Sequence, residues 1–446
     1  MQVVGDQRDS QTPASQEKTT ILRTWKITNT GLKEIKKVIL KEGQTTEEIN
    51  MGAFLDKPIT KKSNDHGEGQ GMRYGMASMQ GWRVDMEDAH DVQIAMSNEP
   101  PFDKWSFFAV FDGHAGPNAA KHAAENLLKT IMETPEFEKL LQHLKDTGGT
   151  IDDETRKLIG KGLINGFLRH DEMLHNQPKP ESSGTTAIAA IVTPEYVFLV
   201  NLGDSRAIFC KKDSEVIATE DHKPYNEKEK ERIVKAGGNV MISRVNGALA
   251  VSRAFGDFEY KNVPNLSSTE QLVSPEPDVY EVQRDSNADE FFVLACDGIY
   301  DVLSNEELAD LVRERLIAED DLRVVTNQVL DYALSKGSRD NMTLILVTLK
   351  QAPTVNNEIA EKEKCWVEKL NVVIKDVITE LKGECEDGEK VCLEVAVRKV
   401  NESDVIKDSP IKNVTYHTRY YVDKALNDFY DGNRYEGDDE GEDKNN

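Results

Sequence analysis

The sequence predicts an α+β domain built on antiparallel strands and followed by a helical segment. Short runs of β-branched and aromatic residues, bounded by Gly, Pro, Asn or Asp, recur between residues 72 and 350, and several are adjacent in the chain. Longer runs with helical spacing come in groups between these strand pairs. That order favours an antiparallel α+β arrangement over a wound parallel sheet, in which single strands and helices alternate.

The individual elements follow from the spacing of apolar residues and from the residues at their ends. The predicted strands are 105–111, 187–192, 196–202, 290–296 and 342–349. The predicted helices are 118–132, 156–174, 305–316, 358–381 and 420–430. Gly383 is expected to end the fourth helix. Residues 391–397 fit a strand and a helix equally well, and their periodicity does not decide between the two.

Composition excludes several classes of function. The 446 residues include 55 Lys or Arg and 80 Asp or Glu, a formal net charge of −25. This charge opposes binding to nucleic acids and anionic membranes, whereas it suits hard cations. The five cysteines include no C-x-x-C pair, which argues against a disulfide framework and a structural zinc site. Without a secretory signal or an apolar run of about 18 residues, we expect no integral membrane association and a cytoplasmic location, with the nucleus as a second compartment.

Three aspartates come directly after strand-like runs, and a fourth comes before one. Asp112, Asp204 and Asp297 follow their strands, whereas Asp340 precedes the last predicted strand. If that strand pairs antiparallel with one of the others, its start lies beside the other's end. A single strand-end Asp-Gly is most often only a turn. Four carboxylates at one edge would repel one another unless cations neutralise them, and oxygen ligands select Mg²⁺ or Mn²⁺ over zinc or copper.

Three neighbouring residues have a structural and a functional interpretation. His114 is either a turn residue or part of the site. Arg83 either pairs with nearby acids on the surface or binds a phosphate, for which its bidentate fork is suited. Cys296 is interpreted as an inert core thiol.

Seven motifs identify the family that the chain resembles. They are Gly81-Trp-Arg-Val-Asp-Met-Glu-Asp-Ala-His90, Phe111-Asp-Gly-His-Ala-Gly116, Ser183-Gly-Thr-Thr-Ala187, Gly203-Asp-Ser-Arg206, Val251-Ser-Arg-Ala-Phe-Gly-Asp257, Ala295-Cys-Asp-Gly-Ile-Tyr-Asp301 and Gly337-Ser-Arg-Asp-Asn341. In this order they are similar to the metal-dependent type 2C Ser/Thr protein phosphatases, and the chain resembles their animal alpha/beta subgroup. The resemblance runs from about residue 51 to residue 349 and continues into the helical C-terminal part.

The resemblance implies a β-sandwich of two antiparallel sheets flanked by helices, with a small helical C-terminal domain. Together with the composition, it divides the chain into a poorly ordered extension (1–50), a phosphatase domain (51–350), a helical domain (351–430) and an acidic tail (431–446). Residues 221–261 correspond to the family's flap beside the active site.

The resemblance also implies the metal ligands. Asp112 corresponds to the carboxylate that bridges two metal ions. Asp297 and Asp340 correspond to ligands of the first ion. The backbone carbonyl of Gly113 and the side chain of Glu87, directly or through water, correspond to ligands of the second.

Four further residues complete the implied site. Asp204 and Asp301 match a looser third-metal position. Arg83 matches the phosphate-binding arginine, and His114 matches the proposed general acid.

The expected activity is hydrolysis of phosphoserine and phosphothreonine in phosphorylated proteins, by direct attack of a hydroxide that bridges two Mg²⁺ or Mn²⁺ ions. We expect a monomer. A nuclease is one alternative, which the net charge of −25 disfavours. A catalytically weak phosphatase-like scaffold is another, which the intact set of ligand residues disfavours.

One hypothesis is that the biologically relevant chain begins at Met51, where the resemblance starts. Gly52 would then be an N-terminal glycine, the acceptor for myristoylation, although Asp56 stands where the general rule expects Ser or Thr. The alternative is a genuine extension with an internal, unmodified Gly52. Because one acyl chain gives only marginal membrane binding, even the lipidated form would associate weakly with membranes.

Mass spectrometry of the native N-terminus distinguishes these hypotheses. A start at Met51 predicts an N-terminal peptide that begins at Gly52. An intact peptide spanning residues 50–57 in most molecules would show instead that translation began upstream.

Overall fold

The structure is a computed structural model that describes residues 20–28, 31–40, 54–177, 182–385, 389–412 and 414–432. It contains two compact units, residues 1–56 and 57–446. In the first unit, strands β1 (Thr20–Thr28) and β2 (Gly31–Leu40) pair antiparallel, which the average composition of residues 1–50 did not predict. Their local runs of β-branched and apolar residues favour strands. The rest of the predicted extension and residues 433–446 of the predicted acidic tail lie outside the described residues.

The second unit contains the helices and the remaining strands, except for the first three residues of β3, which belong to the first unit. Its strands are β3 (Phe54–Gly69), β4 (Met72–Arg83), β5 (Ala89–Gln93), β6 (Ser106–Phe111), β7 (Gly113–His114), β8 (Gly184–Thr185), β9 (Ala187–Val192), β10 (Tyr196–Leu202), β11 (Arg206–Lys211), β12 (Ile217–Ala218), β13 (Val240–Met241), β14 (Arg244–Val245), β15 (Phe255–Gly256), β16 (Asp278–Gln283), β17 (Asp289–Ala295) and β18 (Met342–Thr348). Its helices are α1 (Asn118–Met132), α2 (Pro135–Asp146), α3 (Asp153–His175), α4 (Glu227–Lys235), α5 (Asp297–Tyr300), α6 (Asn305–Ala318), α7 (Leu322–Ser335), α8 (Asn357–Glu384), α9 (Leu393–Asn401) and α10 (Val414–Gly432). Among the described residues, none of the helices combines the length and the apolar character that crossing a bilayer requires.

Two antiparallel sheets form the sandwich. The five-stranded sheet has the order β16-β10-β9-β6-β5, and the six-stranded sheet has the order β12-β11-β17-β18-β4-β3. Side chains alternate between the two faces of each strand. In β6, Phe108 and Val110 fill the space between the sheets, whereas Phe107, Ala109 and Phe111 pack against α1, α2 and α3. The six-stranded sheet is covered in the same way by α6 and α7. The core therefore has an inner layer and two outer layers.

Most predicted elements have nearly the observed bounds. The strands predicted at 187–192 and 196–202 and the helix predicted at 118–132 agree residue for residue with β9, β10 and α1. The predicted end of a helix at Gly383 is wrong, because Gly383 keeps a helical backbone and α8 continues to Glu384. Residues 391–397, whose periodicity did not distinguish a strand from a helix, contribute to helix α9. In this helix Ala396 and Val400, one turn apart, are buried.

The C-terminal helices have a core of their own and also pack on the sandwich domain. The ring of Tyr332 on α7 lies 5.2 Å from that of Tyr416 and 5.1 Å from that of His417, both on α10. Arg315 on α6 is only 2% exposed, and its guanidinium pairs with Glu363 on α8 at 2.7 Å. These contacts cover α6 and α7, so the helical segment shields part of the domain that precedes it.

Removing the residues after Ala352 should leave a folded and active core with lower thermal stability. The strands and the predicted site residues all precede Ala352, but Tyr332 and Arg315 lose their cover. We expect a melting temperature lower by about 5 °C, since exposing a few apolar side chains costs about 2 kcal/mol and each kcal/mol lowers it by ~2–4 °C. Thermal melting and metal-dependent hydrolysis of a small substrate, compared between residues 51–352 and the full chain, test this. A soluble but inactive truncated protein would contradict it.

Candidate active site

Strand pairing brings two of the predicted aspartates together in the six-stranded sheet. β17 and β18 are antiparallel, with Ala295 opposite Leu344. Asp297 follows the end of β17 and Asp340 precedes the start of β18, so both lie at the same edge. The prediction that Asp340 lies beside the end of another strand is therefore confirmed within the six-stranded sheet, where that strand is β17.

The five-stranded sheet contributes Asp112 and one acidic residue that the sequence analysis missed. Ala89 at the start of β5 is opposite Phe111 at the end of β6. Asp88, which precedes Ala89, and Asp112, which follows Phe111, therefore lie at the same end of this strand pair. A carboxylate oxygen of Asp88, one of Asp112 and the sulfur of Cys296 lie within 4.8 Å of one another. Because Cys296 belongs to the other sheet, this cluster joins the two sheets at one end of the sandwich.

The carboxylates are close enough to perturb one another strongly. Loss of hydration, followed by the negative charges of Asp297, Asp88, Asp340 and Asp204, raises the pKa of Asp112 well above its usual range. Loss of hydration is also the main cause that raises the pKa of Asp88 to about 7. These carboxylates are difficult to ionise when no cation is bound, and a bound cation stabilises their ionised form. The oxygen-rich cluster therefore fits a hard divalent metal ion.

Two further predicted acids extend the cluster. The charges of Asp204 and Asp301 contribute, after loss of hydration, to a pKa of Asp297 well above its usual range. Asp204 is buried, whereas Asp301 is exposed. The Nζ atom of Lys223, which sequence reasoning missed, donates a hydrogen bond to Asp204 Oδ2 at 2.6 Å. Asp204 therefore has a cationic partner from the chain itself.

Glu87 and Gly113 are held by close backbone contacts. Glu87 Oε1 accepts a hydrogen bond from the backbone N–H of Gly116 at 2.6 Å, and the backbone N–H of Glu87 donates to Asn341 Oδ1 at 2.9 Å. A Cβ atom at Gly113 would collide with the carbonyl oxygen of Glu87, so only glycine fits at this first position of β7. These contacts place Glu87 beside the residue that follows Asp112.

Arg83 lies at the rim of the cluster. Its NH2 group donates to Asp340 Oδ2 at 2.6 Å, and 39% of its side chain is exposed. The acid that Arg83 contacts is therefore not one of its neighbours in the sequence but Asp340, which is itself a predicted site residue. A partly exposed guanidinium at this rim is also within reach of an incoming anion.

His114 forms an ion pair that the sequence analysis did not predict. Its Nε2 atom lies 2.6 Å from Asp257 Oδ2. Burial alone would lower the pKa of His114, but the hydrogen bond and the charge of Asp257 outweigh it and raise that pKa above its ordinary value. A Cβ atom at Gly184 would overlap both side chains, so the pair requires glycine at that position. His114 is therefore more than a turn residue.

Cys296 has the environment of an unreactive thiol. Its side chain is fully buried, and its sulfur accepts a hydrogen bond from the backbone N–H of Thr343 at 3.1 Å. Loss of hydration and the neighbouring carboxylates raise its thiol pKa well above the usual range. Both features agree with the interpretation of Cys296 as a core residue.

Comparisons with known proteins agree with this geometry. The family model described as protein phosphatase 2C matches residues 72–342. Protein phosphatase ppm-1.A of Caenorhabditis elegans is 51% identical over 359 residues, which cover 80% of this chain and 74% of that protein. Protein phosphatase 1B of Mus musculus is 49% identical over 317 residues, 70% of this chain and 79% of the relative. Protein phosphatase 1A of Homo sapiens is 47% identical over 332 residues, 74% of this chain and 84% of the relative.

Solved structures show the same fold. The crystal structure of a phosphatase from Toxoplasma gondii has a TM-score of 0.54 and 27% identity, and the match covers 65% of this chain and 96% of that one. A serine-threonine phosphatase 2C from the same organism has a TM-score of 0.55 over 64% of this chain and 99% of that one; at 22% identity it supports the fold alone. The chain belongs to the protein phosphatase 2C family, within the animal alpha/beta subgroup, and is a metal-dependent Ser/Thr protein phosphatase.

Proposed function

We propose that this phosphatase hydrolyses phosphoserine and phosphothreonine with two Mg²⁺ or Mn²⁺ ions in the carboxylate cluster and a looser third ion at its edge. The observation that supports the proposal is the convergence of carboxylates at one end of the sandwich: oxygens of Asp88 and Asp112 lie within 4.8 Å of each other, and loss of hydration and four neighbouring carboxylates raise the pKa of Asp112. Ionised carboxylates at such short range need a cation, and an oxygen-rich set of donors suits Mg²⁺ and Mn²⁺.

The cluster offers a distinct group of donors for each ion. Asp112 would bind both ions of the pair. Asp297 and Asp340 would bind the first, whereas Glu87 and the carbonyl oxygen of Gly113 would bind the second. When bound, the ions bring the pKa of water towards neutrality and neutralise charge on the phosphoryl oxygens.

The edge of the cluster differs from its centre. Asp204 and Asp301 would bind the looser third ion. Asp301 is exposed, and Asp204 is already paired with Lys223. An ion at this position therefore has fewer buried ligands and has to compete with a lysine.

The chain's own residues bind the phosphate and protonate the leaving group. Arg83 would hold two non-bridging phosphate oxygens with its planar fork, while its contact with Asp340 fixes the guanidinium at the rim. Asp257 engages Nε2 of His114, so Nδ1 is the atom that would protonate the departing Ser or Thr oxygen. The raised pKa of His114 favours the protonated imidazole, the form that can donate this proton.

Asp112→Ala should abolish most activity, because one carboxylate serves both ions of the pair. We expect less than a tenth of wild-type phosphate release from a phosphothreonine peptide in Mn²⁺, and a chelator should abolish the wild-type activity. The matched control is Asp289→Ala, which changes a buried aspartate, paired with Lys211 at 3.2 Å, at the far end of β17. The control should remain metal-dependent and active in its folded fraction.

Because Asp112→Ala relieves repulsion, we expect its melting temperature in chelator to be no lower than that of the wild type. More than a tenth of wild-type turnover in Asp112→Ala would refute the bridging role. A wild-type protein with no turnover would favour the scaffold alternative.

His114→Gln should lower turnover on a phosphoserine peptide by about 10²–10⁴, the usual contribution of a general acid. The loss should be much smaller on p-nitrophenyl phosphate, whose phenolate leaves without a proton. The proton that His114 donates is lost as the pH rises through its raised pKa, so wild-type turnover on the peptide should fall there. The variant should lack this limb of the pH profile. Equal losses on both substrates would indicate a purely positional role.

A further inference from the structure

Lys223 extends into the carboxylate cluster from a segment outside the sheets. Its Nζ atom lies 2.6 Å from Oδ2 of Asp204, whose side chain is only 4% exposed. Loss of hydration would lower the pKa of Lys223, but the charge and hydrogen bond of Asp204 and the charges of Asp297 and Asp221 outweigh it. The amine is therefore a permanent cation at neutral pH.

The backbone around Lys223 is fixed to the turn that carries Asp204. The backbone N–H of His222 donates to the carbonyl of Gly203 at 2.8 Å, and the backbone N–H of Gly203 donates to Nδ1 of His222 at 3.0 Å. One residue before His222, the two carboxylate oxygens of Asp221 accept from Arg206 Nε and NH2, each at 2.9 Å. These contacts fix the backbone next to Lys223 beside the turn that carries Asp204, whereas a lysine on an unanchored surface segment has no such restraint.

The ammonium group of Lys223 contacts one of the acids that would bind the looser metal ion in the proposed function. Loss of hydration raises the pKa of Asp297 and of Asp301, and the positive charge of Lys223 opposes this rise, so its charge acts on the other acids proposed for the same position. An oxygen of Asp204 that accepts a hydrogen bond at 2.6 Å cannot at the same time coordinate a second cation in that direction.

We propose that the ammonium group of Lys223 competes with a divalent cation for Asp204, Asp297 and Asp301, and thereby sets the low affinity of the third metal position. The inference rests on the proposed function, because it takes these residues as metal ligands. Lys223 acts as a tethered cation that neutralises this edge of the cluster. A divalent ion enters only when the lysine side chain moves away.

The first experiment is a Mn²⁺ titration of the full-length protein, followed by electron paramagnetic resonance of the free ion. Lys223→Met removes the charge at nearly constant volume, and Lys223→Arg keeps it. The matched control is Lys261→Met, because Lys261 is likewise a lysine paired with a buried aspartate, Asp171, at 2.7 Å. Lys223→Met should tighten the weakest Mn²⁺ position at least tenfold, whereas Lys223→Arg and Lys261→Met should stay within about threefold of the wild type, since unit charges at this distance interact strongly.

The outcomes separate this inference from the proposed function. If Lys223→Met binds two Mn²⁺ ions tightly but its third position is unchanged or weaker, only the role of Lys223 is overturned, and the proposed function is not. Fewer than two tight ions in the wild type would contradict the metal assignment and, with it, this inference.

A second measurement uses the wild type and does not depend on the folding of a variant. A short pulse of acetic anhydride, with mass spectrometry of the digested protein, reports how accessible each lysine amine is. Acetylation of Lys223 should rise as Mn²⁺ fills the weakest position, while that of Lys261 should not change. A reactivity of Lys223 that stays constant or falls over this range would overturn the proposal.

Discussion

Repulsion among the carboxylates at one end of the sandwich is the constraint on which the site depends. Asp88, Asp112, Asp297 and Asp340 are brought together by strand pairing, and nothing in their own chemistry attracts them to one another. The packed layers on both faces of each sheet provide the free energy that opposes this repulsion, at about 25 cal/mol per Å² of apolar surface buried. A cation that binds only the folded cluster stabilises the fold by mass action, which couples metal binding to stability.

Polar groups around the cluster make its centre different from its edge. Asp204 pairs with Lys223, and Asp340 pairs with Arg83, whereas the groups that perturb Asp112 are all carboxylates. A metal ion would therefore gain most beside Asp112, whereas side-chain cations already pair with Asp204 and with Asp340. At the edge, each cation of the chain already neutralises part of the charge. In the proposed function, the pairing of Asp204 with Lys223 would make the metal position at this edge the looser one.

One buried amide, that of Asn341, connects the segments that carry the acidic residues of the cluster. Asn341 Nδ2 donates to the carbonyl oxygens of Gln80 and Asp85, at 2.8 and 3.0 Å, and its Oδ1 accepts from the backbone of Glu87. Convergence of Asp112, Asp297 and Asp340 could be predicted from the sequence, because local apolar runs define strands and antiparallel pairing aligns their ends. The pair of His114 and Asp257 could not, since 143 residues separate its members and no local pattern links them. Asp88 was missed because β5, a short strand of mixed polarity, did not stand out.

The strand framework also explains how the C-terminal helices can cover the catalytic domain without shaping its site. Helix α7, on which α10 packs, ends at Ser335, five residues before Asp340. That loop has anchors of its own, because the buried hydroxyl of Ser338 donates to the carbonyl of Gly298 at 2.7 Å and Asn341 bonds to three backbone groups. The pairing of β17 with β18 fixes the position of Asp340 from the other side. The position of Asp340 is thus determined within the sandwich, and the C-terminal helices act on it only through the stability of α7.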